Sequence, residues 1–192
     1  QSKAELWRGG LAKWGIDGAR IARLRDSTDL RIYTPGRSSG RPLDVLSALA
    51  APSAEALADA DIRTDLVAGT TQALLGLVGV VADPIRSPEH LVIARILEGA
   101  WLRGDSIDLE QLILQVVDPP FKKVGVFPVD RFWEPGDRMD LAMRLNGVLA
   151  SPSFAAWLQG EALDPGAMLT GAEGRTPISV CSMAHLSDSE RM

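Results

Sequence analysis

Two short stretches with strand character lie near opposite ends of a chain that is otherwise patterned for helices. No other feature limits the fold as much. The first, "DLRIYTPG", alternates Leu30 and Ile32 with Arg31 and Tyr33 and halts at Pro35-Gly36. The second is the apolar run from Ile178 to Met183, followed by His185 and by Ser187-Asp188-Ser189-Glu190, which reads as the first turn of a helix. Two strands alone do not make a stable sheet. Each is followed by a glycine loop or a helix start, as in an α/β unit. The economical expectation is a mainly α chain: a helical bundle inserted in a fragment of a larger α/β domain, with about two short strands at 30–34 and 177–183. On this reading residues 1–42 hold N-terminal helices, a strand and a glycine loop of the α/β core. Residues 43–172 form the helical insertion. Residues 173–192 return to the core with a strand and a helix start, and the rest of the sheet is expected outside this chain.

The helical block is marked by its caps. Ser2 to about Gly15 carries Leu6, Trp7, Leu11 and Trp14 at helical spacing, and Asp17 can cap a second helix with Ile21, Ala22 and Leu24 on its apolar side. "PLDVLSALA" is expected to be helical. "SAEALADADIRTDLVAGTTQALLGLVGVVAD" supplies one long or two broken helices capped at Ser53. Ser87 and Pro88 open a further helix that ends at Gly104. Asp108 opens the next, which Pro119-Pro120 stops. "FKKVGVFPVDRFWEPG" is expected to be an irregular connector with aromatics over the bundle. "DRMDLAMRLNGVLAS" and "PSFAAWLQG" read as two more helices, and "EALDPGAMLTGAEG" as a turn-rich lead into the last strand.

Composition excludes several classes. The 192 residues, 46% of them hydrophobic, suffice for a real core, and mean hydropathy near zero argues against disorder. Cys181 is the single cysteine, which excludes an internal disulfide and makes a reducing compartment, the cytoplasm, the expected one. The longest uncharged stretch, Leu66 to Ala82, is short for a membrane span and contains Thr70, Thr71 and Gln72, so it reads as a buried bundle helix. Through Arg41 there are nine Lys/Arg against four Asp/Glu, net +5; the remainder has eleven against twenty-one, net −10. That acidic majority argues against a free-standing nucleic-acid binder. The basic start (Arg20, Arg23, Arg25, Arg31, Arg37, Arg41) could face an anion, although a solvated helix face explains it more simply.

No constellation assigns a catalytic, cofactor-binding or metal-ligating residue. "GRSSG" matches the nucleophile-elbow pattern with Ser38 at its centre and His90 and His185 available later, but Pro35 and Pro42 bracket it and too few strands exist for that fold. None of the four lysines follows a glycine, so there is no phosphate-cradling Gly-Lys loop. "GLVGVVAD" reads as a helix end better than as a strand leading to a magnesium-binding Asp83. Cys181 and His185 straddle a strand end with no second ligand pair. Asp59, Asp61 and Asp65 read as a solvated helix side. "ILEGAWLRGDSIDLEQLILQVV" has a helix–turn–helix look, but its second helix, with Asp108 and Glu110, is wrong for a major groove.

Two stretches together say more. "DLRIYTPGRSSGRPLDVLSAL" and "RTPISVCSMAHLSDSERM" resemble the two flanks of the helical insertion in HerA-like ATPases, the P-loop DNA translocases of the HerA/FtsK group. The matching residues are Tyr33, Thr34, Pro35, Gly36, Gly40 and Pro42, then Ile178, Ser179, Val180, Leu186, Ser187, Asp188, Glu190 and Arg191. The resemblance spans nearly the whole chain in order. It implies a RecA-like core and a hexameric parent that hydrolyses ATP, with magnesium, to move on DNA. It also implies that the Walker A loop, the Walker B acid and the trans-acting arginine lie outside these residues. The chain itself would then be a non-catalytic insertion fragment whose partner is the rest of the parent ATPase domain, with DNA reached through the parent and no membrane involved. The alternative is a stand-alone helical module that binds a protein or peptide.

Overall fold

The structure, a computed structural model, describes residues 2–37, 39–44, 46, 49–152, 154–172 and 174–186. It is mainly helical, as the caps and periodicity predict. Helix α1 (Lys3–Ala12) opens on a reciprocal capping box between Ser2 and Glu5. Helix α2 (Gly18–Ser27) opens on the Asp17 carboxylate, which accepts from the Arg20 amide at 2.8 Å. Neither helix buries a residue: Trp7 is 64% exposed and Trp14 80%. Strand β1 (Thr28–Tyr33) follows α2 directly.

The core lies in the helical block. It is built from α4 (Ala60–Leu77), α5 (Pro88–Leu102), α6 (Leu109–Val117) and α8 (Pro135–Ala150), with the short α3 (Ala54–Ala58) ahead of α4. Leu75, Val92, Ile93, Leu97, Leu112 and Leu145 are all but inaccessible to solvent. Trp101 is buried with them, and its indole N–H donates to the Leu49 carbonyl at 3.1 Å, tying the entry segment to the bundle. Asp59 separates α3 from α4: its backbone is extended while its carboxylate accepts from the amides of Asp61 and Ile62. Asp108 and Gln111 form a second capping box at the head of α6.

Several expectations are corrected. Leu43–Asp44 is not helical but a strand, β2, parallel to β5 (Glu161–Ala162). Pairing with a distant segment overrides the local helical pattern. The interval 121–136 is more regular than expected, with a hairpin of β3 (Lys123–Val124) and β4 (Phe127–Pro128) and then α7 (Val129–Phe132). The segment 152–160, expected to be helical, forms only a 3₁₀ turn, Ala155–Trp157, among its described residues, ahead of β5, which lies beside β2. The 66–82 stretch is only partly interior: Val67, Thr71, Leu74 and Leu75 are buried, while Leu66, Leu77 and Val81 are exposed. No helix among the described residues is long and apolar enough to cross a membrane.

A short helix α9 (Pro165–Leu169) leads to β6 (Thr176–Cys181). The two strands begin and end one or two residues earlier than the pattern predicts. They pair in parallel, from Thr28 opposite Thr176 to Tyr33 opposite Cys181, with the whole helical block as the connection between them. The register puts Leu30, Ile32, Ile178 and Val180 on one face and Asp29, Arg31 and Ser179 on the other. The polar face is covered. Arg31 donates to the carbonyls of Ala167 and Thr170, Ser179 donates to that of Met168, and Asp29 accepts from the Ala172 amide. The apolar face is not: Leu30 is 57% exposed, Ile32 48%, Val180 44% and Ile178 38%.

Candidate functional site at the carboxyl ends of the paired strands

Ligands in open α/β sheets gather at the carboxyl ends of parallel strands, because the loops there project from a fixed frame. Here that edge joins the two motifs that lie farthest apart in the sequence. The amide of Ser182, just past β6, donates to the Tyr33 carbonyl at 2.8 Å. His185 comes to 2.9 Å from the Pro35 carbonyl through Nε2. A carbonyl can only accept, so this contact requires the hydrogen on Nε2. Leu186 is buried beyond it.

The loop from Thr34 to Pro42 is organised around one side chain. The Thr34 hydroxyl donates to the Arg37 carbonyl and accepts from the Gly40 amide, both at 3.0 Å. The Thr34 amide reaches the Arg41 carbonyl and the Arg41 amide the Ile32 carbonyl, which closes the loop at its base. Two glycines are needed for this shape. Gly36 has φ +70°, and a Cβ there would stand 2.6 Å from the Trp157 ring. At Gly40 a Cβ would stand 2.7 Å from the Ile32 carbonyl oxygen. Trp157 in turn stacks on Phe154, with ring centroids 6.1 Å apart. Arg41 pairs with Glu161 at 3.1 Å, and the Tyr33 hydroxyl reaches the same carboxylate at 3.4 Å. Arg37, Ser39, Pro42, Ala156 and Gln159 line an open cleft beside the loop.

Electrostatics act below this edge. The Arg31 guanidinium, and after it the Ala172 amide, hold the Asp29 carboxyl below the usual carboxylate range, and Asp29 raises Arg31 in return. Three of the six arginines in the basic start of the chain are held in ion pairs. Arg31 pairs with Asp29, Arg41 with Glu161 and Arg25 with Asp26.

The remaining candidates scatter. Ser38 lies outside the described residues. Its loop leads into β2 and not into a helix, so the strand–turn–helix frame of a nucleophile elbow is missing. His90 is buried on α5 with neither ring nitrogen partnered among the described residues. Asp83 caps a turn, accepting from the amides of Ile85 and Arg86. Asp59 caps α4, and Asp61 and Asp65 are exposed. Cys181 is exposed, and no three His, Cys, Asp or Glu groups converge to hold a metal among the described residues. Helix α6 turns Glu110, Gln111 and Leu114 outward rather than cations. Trp157 and Glu161 escape the sequence analysis, since nothing local to either marks it as a partner of a loop that precedes it by more than a hundred residues. No family model, no curated protein and no solved structure matches the chain.

Proposed function

We propose that the chain is the helical insertion, with its two flanking core strands, of a HerA-like ATP-driven DNA translocase acting in the cytoplasm. One observation carries most of the support: β1 and β6 are parallel neighbours although the whole bundle separates them in sequence. A parallel pair needs a crossover, ordinarily one helix. A crossover made of a whole bundle is what an insertion between adjacent strands of an α/β sheet looks like. The bare apolar face of the pair adds to this, because parallel sheets in α/β folds are covered on both faces. The partner on that face would be the rest of the parent domain. The chain has no Gly-Lys pair, the mark of a phosphate-cradling loop. Nucleotide chemistry would belong to parent residues outside it. Within the parent, the insertion would hold the Thr34–Pro42 loop and His185 in a fixed relation at the strand ends.

The test is an ATPase assay on this chain and on a form extended at both ends by its native gene. Turnover in the extended form alone is expected. Turnover in neither would shift the assignment to a helical protein- or peptide-binding module, and turnover in this chain would refute the inert insertion.

A further inference from the structure

The β3–β4 hairpin has no role in that account, and it combines two unusual features. Its tip is apolar and open: Val126 is 81% exposed and Phe127 60%. Its flanks are basic. Lys122 and Lys123 are the only lysines beyond Lys13, and no carboxylate occurs between Asp118 and Asp130. The region after Arg41 has a net charge of −10, so the hairpin is a positive island on an acidic body. Arg95 and Arg131 enlarge it. The Arg95 guanidinium lies 4.4 Å from the Phe121 ring centroid and donates to the Lys123 carbonyl. Asp130, the nearest acid downstream, is occupied by the buried Arg138 at 2.7 Å. Among the described residues Lys122, Lys123 and Arg131 form no ion pair.

The base of the hairpin is fixed, so its tip is displayed rather than loose. The Val129 amide donates to the Lys122 carbonyl at 3.0 Å, and Val129 and Trp133 are buried beneath it. A rigid element loses little conformational freedom when it binds.

We infer that this hairpin is a contact element for single-stranded DNA: Lys122, Lys123, Arg95 and Arg131 take the phosphates, and Phe127 stacks on an unpaired base. Clustered cations beside an exposed aromatic are the chemistry of single-strand binding, since every base has a face to stack. In a duplex the base faces are hidden, and the apolar tip would meet only backbone. The acidic surroundings confine the contact to this small patch, so the affinity is modest. The identity of the strand as DNA rests on the translocase reading; the geometry of the patch does not.

The experiment is fluorescence anisotropy of labelled oligo(dT) titrated with this 192-residue chain, at salt concentrations from low to physiological. At low salt we expect a Kd of about 10–100 µM, weakening as salt rises. The exposed double change K122Q/K123Q should weaken binding about tenfold and flatten the log–log salt slope by about 1.4, for two single-strand phosphates released. F127A should weaken it about tenfold with the slope unchanged, the signature of a lost stack rather than a lost charge. Far-ultraviolet circular dichroism establishes that each variant keeps its helices. No anisotropy change at about 100 µM protein, equal affinity in the lysine variant, or binding to anionic phosphatidylserine vesicles in place of DNA overturns the inference. The assay needs no ATP. Binding here without turnover in the extended form would sink the translocase reading and leave the hairpin standing.

Discussion

Gly36→Ala should loosen the loop at the strand ends, and for two separable reasons. At φ +70° an alanine is strained by about 1–2 kcal/mol relative to glycine. Its Cβ would also stand 2.6 Å from Cε2 and 2.7 Å from Nε1 of Trp157, so the indole has to leave its place against the loop. Displacing a packed ring of this kind costs about 1–3 kcal/mol. The sum is about 2–5 kcal/mol, concentrated in the loop and not in the bundle core, which contains neither residue. Global unfolding is therefore the wrong readout. Amide hydrogen exchange at Thr34 and Arg41 reports the loop directly, because their N–H groups close its base. Protection there should fall about 30-fold or more, while amides of α5 stay unchanged. Trp157→Ala separates the two contributions. In that background Gly36→Ala should retain only the backbone strain, and the difference, about 1–3 kcal/mol, is the coupling between ring and loop. Equal losses of protection in both backgrounds would refute the packing argument. No loss in either would refute the account of the loop altogether.

The Asp29–Arg31 pair should make the docking of residues 165–172 acid-labile. Asp29 is held below its ordinary 3.8 in the folded chain, so its contribution is complete above about that value and is lost as pH falls through the lower, folded-state value. Protection of the Ala172 amide, its NMR exchange rate set against the intrinsic rate at each pH, should fall over that window in the native chain and stay level in Asp29→Asn; level protection in the native chain removes the argument. The bare face of the strand pair should bind a hydrophobic dye such as anilinonaphthalene sulfonate in the native state. Ile32→Thr with Val180→Thr should reduce that binding and move stability by no more than about 0.5 kcal/mol, since both positions are half exposed; a native chain that binds no dye would show that something covers this face.

Where chemistry is local, the sequence was readable. Asp17, Ser53 and Asp108 each stand where a side-chain oxygen can meet the free amides of a first helical turn, and each does so. Gly104 ends α5 with φ +78°, as a glycine after a helix should. Both main strands were visible because their alternation and their stop signals lie within a few residues. What was hidden depends on segments meeting. The pairing of Leu43–Asp44 with Glu161–Ala162 involves two residues on each side, too few for a periodicity to show and enough to take those two residues out of the helix predicted over 42–50, of which 45, 47 and 48 lie outside the described residues. The seat of Trp157 against Gly36 leaves no trace in either neighbourhood.

Helix α1 makes a subtler point. Its apolar stripe of Leu6, Trp7 and Leu11 predicts a helix, and the helix forms with Leu6 and Trp7 exposed and Leu11 half-buried. An amphipathic stripe states what a helix needs and not whether the same chain supplies it. The strand pair has the same imbalance, with an apolar face that alternation creates and that the described residues leave about half exposed. Two such surfaces, one on the leading helix and one on the sheet, lie outside the buried cluster around Trp101 and Leu97, while the helices that form that cluster leave Leu102, Leu114 and Met143 open to solvent as well.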